Sequence, residues 1–106
     1  MKRISVRVCG CDYEIIYADP GAWAAGAMGR TNVFTGEILI KDTLEADQSV
    51  ATQIHEILHL MLDATGHHDA SSDEVFVSSL ASSMTAFLRD NPERLAAWRE
   101  TWEMGI

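Results

Sequence analysis

The chain has 106 residues, 47% of them hydrophobic and 23% charged, the make-up of one soluble globular domain with room for a single core. Its formal net charge of −8 argues against a nucleic-acid ligand, because an anionic surface repels phosphate backbones. No apolar run is long enough to span a membrane, and Met1 to Ser5 lack the apolar core of a secretory signal, so a cytoplasmic protein is expected.

Ile4, Val6 and Val8 alternate with Arg3, Ser5 and Arg7, the period-two pattern of a half-buried strand. Cys9 to Asp12 reads as a turn and Tyr13 to Tyr17 as a second strand, rich in aromatic and β-branched residues, which makes a hairpin. Cys9-Gly10-Cys11 closes too short a loop for an ordinary structural disulfide, so two reduced thiols are expected at the turn, with a metal role as the lesser alternative. Asp19-Pro20-Gly21 fits another turn. Ala22 to Gly29 reads equally as a short helix or a loop.

Val33-Phe34, Thr35-Gly36 and Glu37 to Lys41 read as strand, tight turn and strand, with Ile38 and Ile40 facing the core and Leu39 and Lys41 facing away. The last of these either offers an edge to an extended peptide or is plainly structural. A helix then starts near Glu45 to Ser49 and stops near Thr65-Gly66, where glycine supplies the C-terminal stop. His67, His68 and Asp69 follow in a loop. A second helix spans Ser72 to Arg89, with Val77, Leu80, Ala81, Met84 and Leu88 on one face. Asp90 to Glu93 ends it and starts another, Asn91 capping and Pro92 at the first helical position. That last helix carries Leu95, Trp98 and Trp102 at helical spacing, as core or as a dimer contact.

The chemistry lies in His55-Glu56-Ile57-Leu58-His59 on the first helix. Histidines four apart share a helix face, so His55 and His59 can present two imidazoles to one metal ion. Glu56 sits about 100° further round, within reach of a water on that ion without ligating it. Val50, Ile54, Ile57, Leu58 and Met61 form an apolar stripe, and Gln48, Thr52, His55 and His59 a second stripe roughly 130° away, so the histidines stand clear of the buried face. Between Asp42 and Leu88 there are eight acids and no Lys or Arg, a field that attracts cations and basic peptide segments.

Two imidazoles suit zinc with a third protein ligand and an open position. A third histidine six residues after His59, with an intervening glycine, is absent, since Thr65 and Leu62 occupy those places. The other common arrangement takes a glutamate from the next helix. Glu74 fits, at the edge of the face carrying Val77 and Ala81, although only fourteen residues separate it from His59. Its rivals are Asp73, His67 and His68, since Ser71-Ser72-Asp73-Glu74 also matches a capping box that would occupy Glu74 structurally. His67, His68, Tyr13 and Tyr17 are candidates by type for stabilising an oxyanion.

Gly36-Glu-Ile-Leu-Ile40, Gln53-Ile-His-Glu-Ile-Leu-His59, Glu74-Val-Phe-Val77 and Phe87-Leu-Arg-Asp-Asn-Pro92 together resemble a minimal zincin of bacteriophage and prophage type, similar to the ImmA/IrrE-type metallopeptidase domains. The resemblance runs from Val33 to Pro92, and its specific element is the His-Glu-x-x-His core. It implies a twisted, mainly antiparallel sheet packed on the motif helix, zinc as the metal, and hydrolysis of a peptide or protein substrate. Relatives of this kind include proteins that cleave a repressor partner, which implies an intracellular regulatory protease. The shortness of this chain argues against broad, independent proteolysis.

The expectation is therefore a single α+β domain over residues 1–106, with three or four strands, the motif helix and one or two further helices. His55, His59 and Glu74 would hold zinc and Glu56 would be the general base. The rival readings are a catalytically inactive, metal-stabilised interaction domain and a metal-free helical adaptor dimerising through Trp98 and Trp102.

Overall fold

The computed structural model describes residues 2–19 and 27–105. Strands β1 (Lys2–Val8) and β2 (Cys11–Ala18) form the expected hairpin, followed by β3 (Gly29–Asn32) and β4 (Glu37–Lys41). Four helices come next: α1 (Ala46–Ala64), α2 (His68–Ser72), α3 (Glu74–Asp90) and α4 (Pro92–Met104). The sheet has the order β1-β2-β4-β3. β1 with β2 and β3 with β4 are antiparallel, and β2 with β4 is parallel. This is the expected α+β class, with one parallel pairing in an otherwise antiparallel sheet. No described helix is long and apolar enough to cross a membrane.

Two local expectations change. The strand before the tight turn is Gly29–Asn32 rather than Val33-Phe34. Asn32 Oδ1 accepts hydrogen bonds from the amides of Phe34 (3.0 Å) and Thr35 (3.3 Å), which bends the chain out of extended conformation. Gly36 completes the turn at φ 70°. β4, the strand read as a possible edge, lies inside the sheet between β2 and β3, so the edges of the described sheet are β1 and β3. The expected turn at Asp19-Pro20-Gly21 and the ambiguous stretch from Ala22 fall largely on residues 20–26, outside those described; Gly29 opens β3.

α1 has two apolar faces rather than the single stripe read from the sequence. Leu60 and Ile57 pack on the sheet against Val8, Ile15, Ile38 and Ile40. Ile54 and Leu58 pack on α3 against Val77 and Ala81, with Leu62, Leu80, Met84 and Leu88 around them. Val50 and Met61, assigned to the core stripe, are each 41% exposed. Taking Ile54 as zero and 100° per residue, the α3 face spans about 0–80° and the sheet face about 240–300°. His55, His59 and Glu56 fall at about 100°, 140° and 200°, in the groove between the two faces, while Val50 and Met61 fall near 320–340° on the opposite, open side. The site's position thus follows from how α1 is sandwiched.

Ile38 and Ile40 are both fully buried at 0% exposure, as their alternation in β4 requires. Ile40→Ala should cost about 2–5 kcal/mol through lost burial and the cavity left behind, read as a lowered midpoint in urea unfolding. Helix α4 contributes no buried residue. Trp98 stacks on Phe87 with ring centroids 6.0 Å apart, and Trp102 is largely exposed, so neither tryptophan belongs to the core.

Candidate metal centre

α1 ends in a Schellman motif: Gly66 N donates to Asp63 O and His67 N to Leu62 O, with Gly66 at φ 81°. The chain reverses at once and enters α2, where a loop was expected. His67 and His68 are held locally, His67 Nδ1 3.0 Å from Thr65 Oγ1 and His68 Nδ1 3.3 Å from Asp63 Oδ1. Tyr13 and Tyr17 pack against the sheet-side core. Among these four oxyanion candidates, none has a described contact with the motif residues.

Asp73, not Ser71, caps α3, its Oδ1 accepting from Phe76 N at 3.0 Å. The capping-box reading therefore fails, and the carboxylate of Asp73 is committed to the backbone. Glu74 follows in the first turn with its side chain free to reach across to α1. Its Oε2 lies 3.0 Å from His55 Nε2 and its Oε1 3.0 Å from His59 Nε2. The two Nε2 atoms are 3.1 Å apart. His55, His59 and Glu74 thus form a group that could hold a metal ion.

The chemistry of these donors fits a cation. His59 Nδ1 lies 3.0 Å from Ser71 Oγ, and His55 Nδ1 3.3 Å from Ser78 Oγ. Placing each ring proton on Nδ1, toward its hydroxyl, aims both Nε2 lone pairs and the Glu74 carboxylate at one point. Protons can link such atoms only in pairs; a cation satisfies all three together. Ligands about 2.0–2.1 Å from a tetrahedral ion stand about 3.3 Å apart, a few tenths more than the 3.0–3.1 Å separations seen here.

The sequence singles out neither Ser78 nor Thr31, and Ser71 only as a candidate helix cap. Ser78 is one helical turn after Glu74, so the i, i+4 relation places both on the side of α3 that meets His55. Ser71 is one of the few buried polar residues described, and only the packing of α2 against α1 reveals its partner. Ser71→Ala should weaken metal affinity about 10–100-fold by releasing the ring of His59, measurable by competition with a chromophoric chelator. Thr31 Oγ1, on β3, donates to Glu56 Oε1 at 2.8 Å, holding that carboxylate on the cleft lining it shares with His55 and outside the His55, His59 and Glu74 group.

A cavity of about 260 Å³ adjoins the group, bordered by Met28, Gly29, His55, Glu56, Ser78 and Ala81. Gly29 permits the close approach of β3 to α1, since a Cβ there would stand 2.6 Å from Thr52 Cγ2. The cleft is bounded by the edge strand β3 on one side and α3 on the other. The Glu74 side chain remains 65% exposed, so the His55, His59 and Glu74 group opens to solvent.

The chain matches no protein-family model. No curated protein and no solved structure matches it either. The geometry alone carries the functional reading.

Proposed function

We propose that this protein is a zinc-dependent peptidase, with His55, His59 and Glu74 as ligands and Glu56 as general base. The observation that carries the reading is the convergence of three ligand atoms beside a carboxylate that is held apart from them, at the wall of an open cleft. A purely structural site is closed by its fourth ligand and has no use for such a base. Zinc bound there supplies a Lewis acid that polarises a carbonyl and acidifies water.

The residues of the chain divide the remaining work. Ser71 and Ser78 fix the tautomer and orientation of the two imidazoles. Thr31 holds one oxygen of Glu56 and leaves the other, Oε2, to take the proton of the attacking water and return it to the leaving amine. β3, an edge strand of the described sheet, borders the cleft on the side where an extended peptide can add as a further strand. The eight acids between Asp42 and Leu88 favour a substrate segment of basic character. The small cleft suits a narrow, regulatory specificity.

The test is metal content by mass spectrometry on untagged protein, together with cleavage of an extended-peptide library with and without a chelator. About one zinc per chain and chelator-sensitive cleavage are expected. Metal without cleavage would leave an inactive, metal-stabilised domain; no metal after incubation with zinc would overturn the reading.

A further inference from the structure

The Cys9-Gly10-Cys11 segment has no part in the metal centre. β1 and β2 are joined by Cys9 and Gly10 alone, because Val8 pairs with Cys11. Both linking residues have positive φ, 50° and 80°, as a type I′ turn requires. Asparagine, aspartate or glycine ordinarily fills the first position, where a Cβ crowds the backbone and the amide or carboxylate side chain offsets that cost by local hydrogen bonding. Cys9 is the sole described non-glycine residue at positive φ. A thiol therefore occupies a place that asparagine would fill with less strain, with a second thiol two residues on.

The turn brings the two within bridging reach. A left-handed turn mirrors an α-helical one, so Cα atoms two residues apart across it stand about 5.4 Å from each other. Disulfides span Cα separations of about 4.4–6.8 Å. Both thiols are exposed and unbridged. On the strands beside them, Arg7 Nε donates to Asp12 Oδ1 at 2.9 Å and Arg7 Nη2 to Asp12 Oδ2 at 3.3 Å. That hydrogen bonding, then the guanidinium charge, holds the Asp12 carboxyl below its ordinary range, so the clamp persists wherever thiols react.

We propose that Cys9 and Cys11 form a reversible intrachain disulfide, making the β1–β2 turn an exchange site for small-molecule disulfides such as glutathione disulfide. One cysteine thiolate attacks a sulfur of glutathione disulfide, forming a mixed disulfide and expelling one glutathione thiolate. The other cysteine thiolate then attacks the cysteine sulfur of that mixed disulfide. It closes the Cys9–Cys11 bond and expels the second glutathione. The two thiol protons pass to the two departing glutathiones; the protein is oxidised by two electrons and the small disulfide reduced by two. A ring closed over a single intervening residue is strained, and strained, exposed disulfides are the readily reduced ones. The bridge is accordingly a switchable one.

The test equilibrates the full chain, with chelator present, in glutathione buffers stepped from reducing to oxidising, followed by acid quenching, thiol counting and intact mass. Both thiols should disappear together in a monomer whose mass falls by two hydrogens and returns on reduction. Cys9→Asn, which suits the turn, should instead leave Cys11 carrying one glutathionyl group under the same oxidising buffer. Two thiols persisting in the most oxidising buffer, two glutathionyl groups on the wild type, or disulfide-linked dimers would each overturn the proposal. The readout is covalent and independent of peptidase activity.

Discussion

Glu56→Gln is expected to lower peptide cleavage by about 10²–10⁴-fold, the range over which a positioned general base acts, with zinc content equal to wild type. Glu56 stands about 60–100° round α1 from the two histidines and outside the ligand group, so its replacement removes no ligand. Glutamine keeps the size of the side chain and still accepts the hydrogen bond of Thr31, which preserves the wall of the cleft. What disappears is the basic oxygen. Turnover by the library substrates and metal analysis on the same preparation decide the outcome. Undiminished cleavage would remove Glu56 from the mechanism, and loss of the metal would make it a ligand instead.

His55→Ala and Glu74→Ala should each abolish stoichiometric zinc binding and cleavage together. The consequence extends to stability. A ligand at a hundred times its dissociation constant stabilises the folded state by about 2.7 kcal/mol, which for a domain of this size is roughly 10–20 °C in Tm. Wild type should therefore melt that much higher with zinc than with chelator, whereas the two variants should melt at one temperature in both. Asp73→Ala is the informative control, because Asp73 caps α3. It should lower stability by about 0.5–2 kcal/mol and retain the zinc-dependent increment. If Asp73→Ala loses that increment and Glu74→Ala keeps it, the ligand assignment is reversed.

Much of this domain is written in local pattern. The strand read at Ile4 to Val8, the paired Ile38 and Ile40, the glycine stop at Gly66 and the Asn91-Pro92 start follow from short-range sterics and period and reappear in the fold, although burial along β1 rises only toward Val8 and Ile4 stays 41% exposed. Failures arose where a side chain captured the backbone or a neighbour chose the face. Asn32 drew two amides onto its own side chain and moved a strand four residues toward the N-terminus. Ser71 is the rival cap in the sequence because its spacing to Glu74 fits a capping box. A cap two residues further on at Asp73 fits the local sequence as well, and only backbone geometry separates them.

The sequence by itself determined the two histidines on one helical face, the adjacent carboxylate and the two thiols flanking a glycine, because each depends on residues fewer than five apart. Tertiary structure alone decided the rest. Packing of α1 between the sheet and α3 settled which groove the histidines occupy. That Glu74, rather than Asp73, His67 or His68, joins the two histidines in a group that could hold a metal follows from how α3 docks and from what each rival binds locally. The hydroxyls of Thr31, Ser71 and Ser78 lie 12 to 25 residues from the groups they orient, a separation that local periodicity does not encode and only the packing of β3, α2 and α3 around α1 can close.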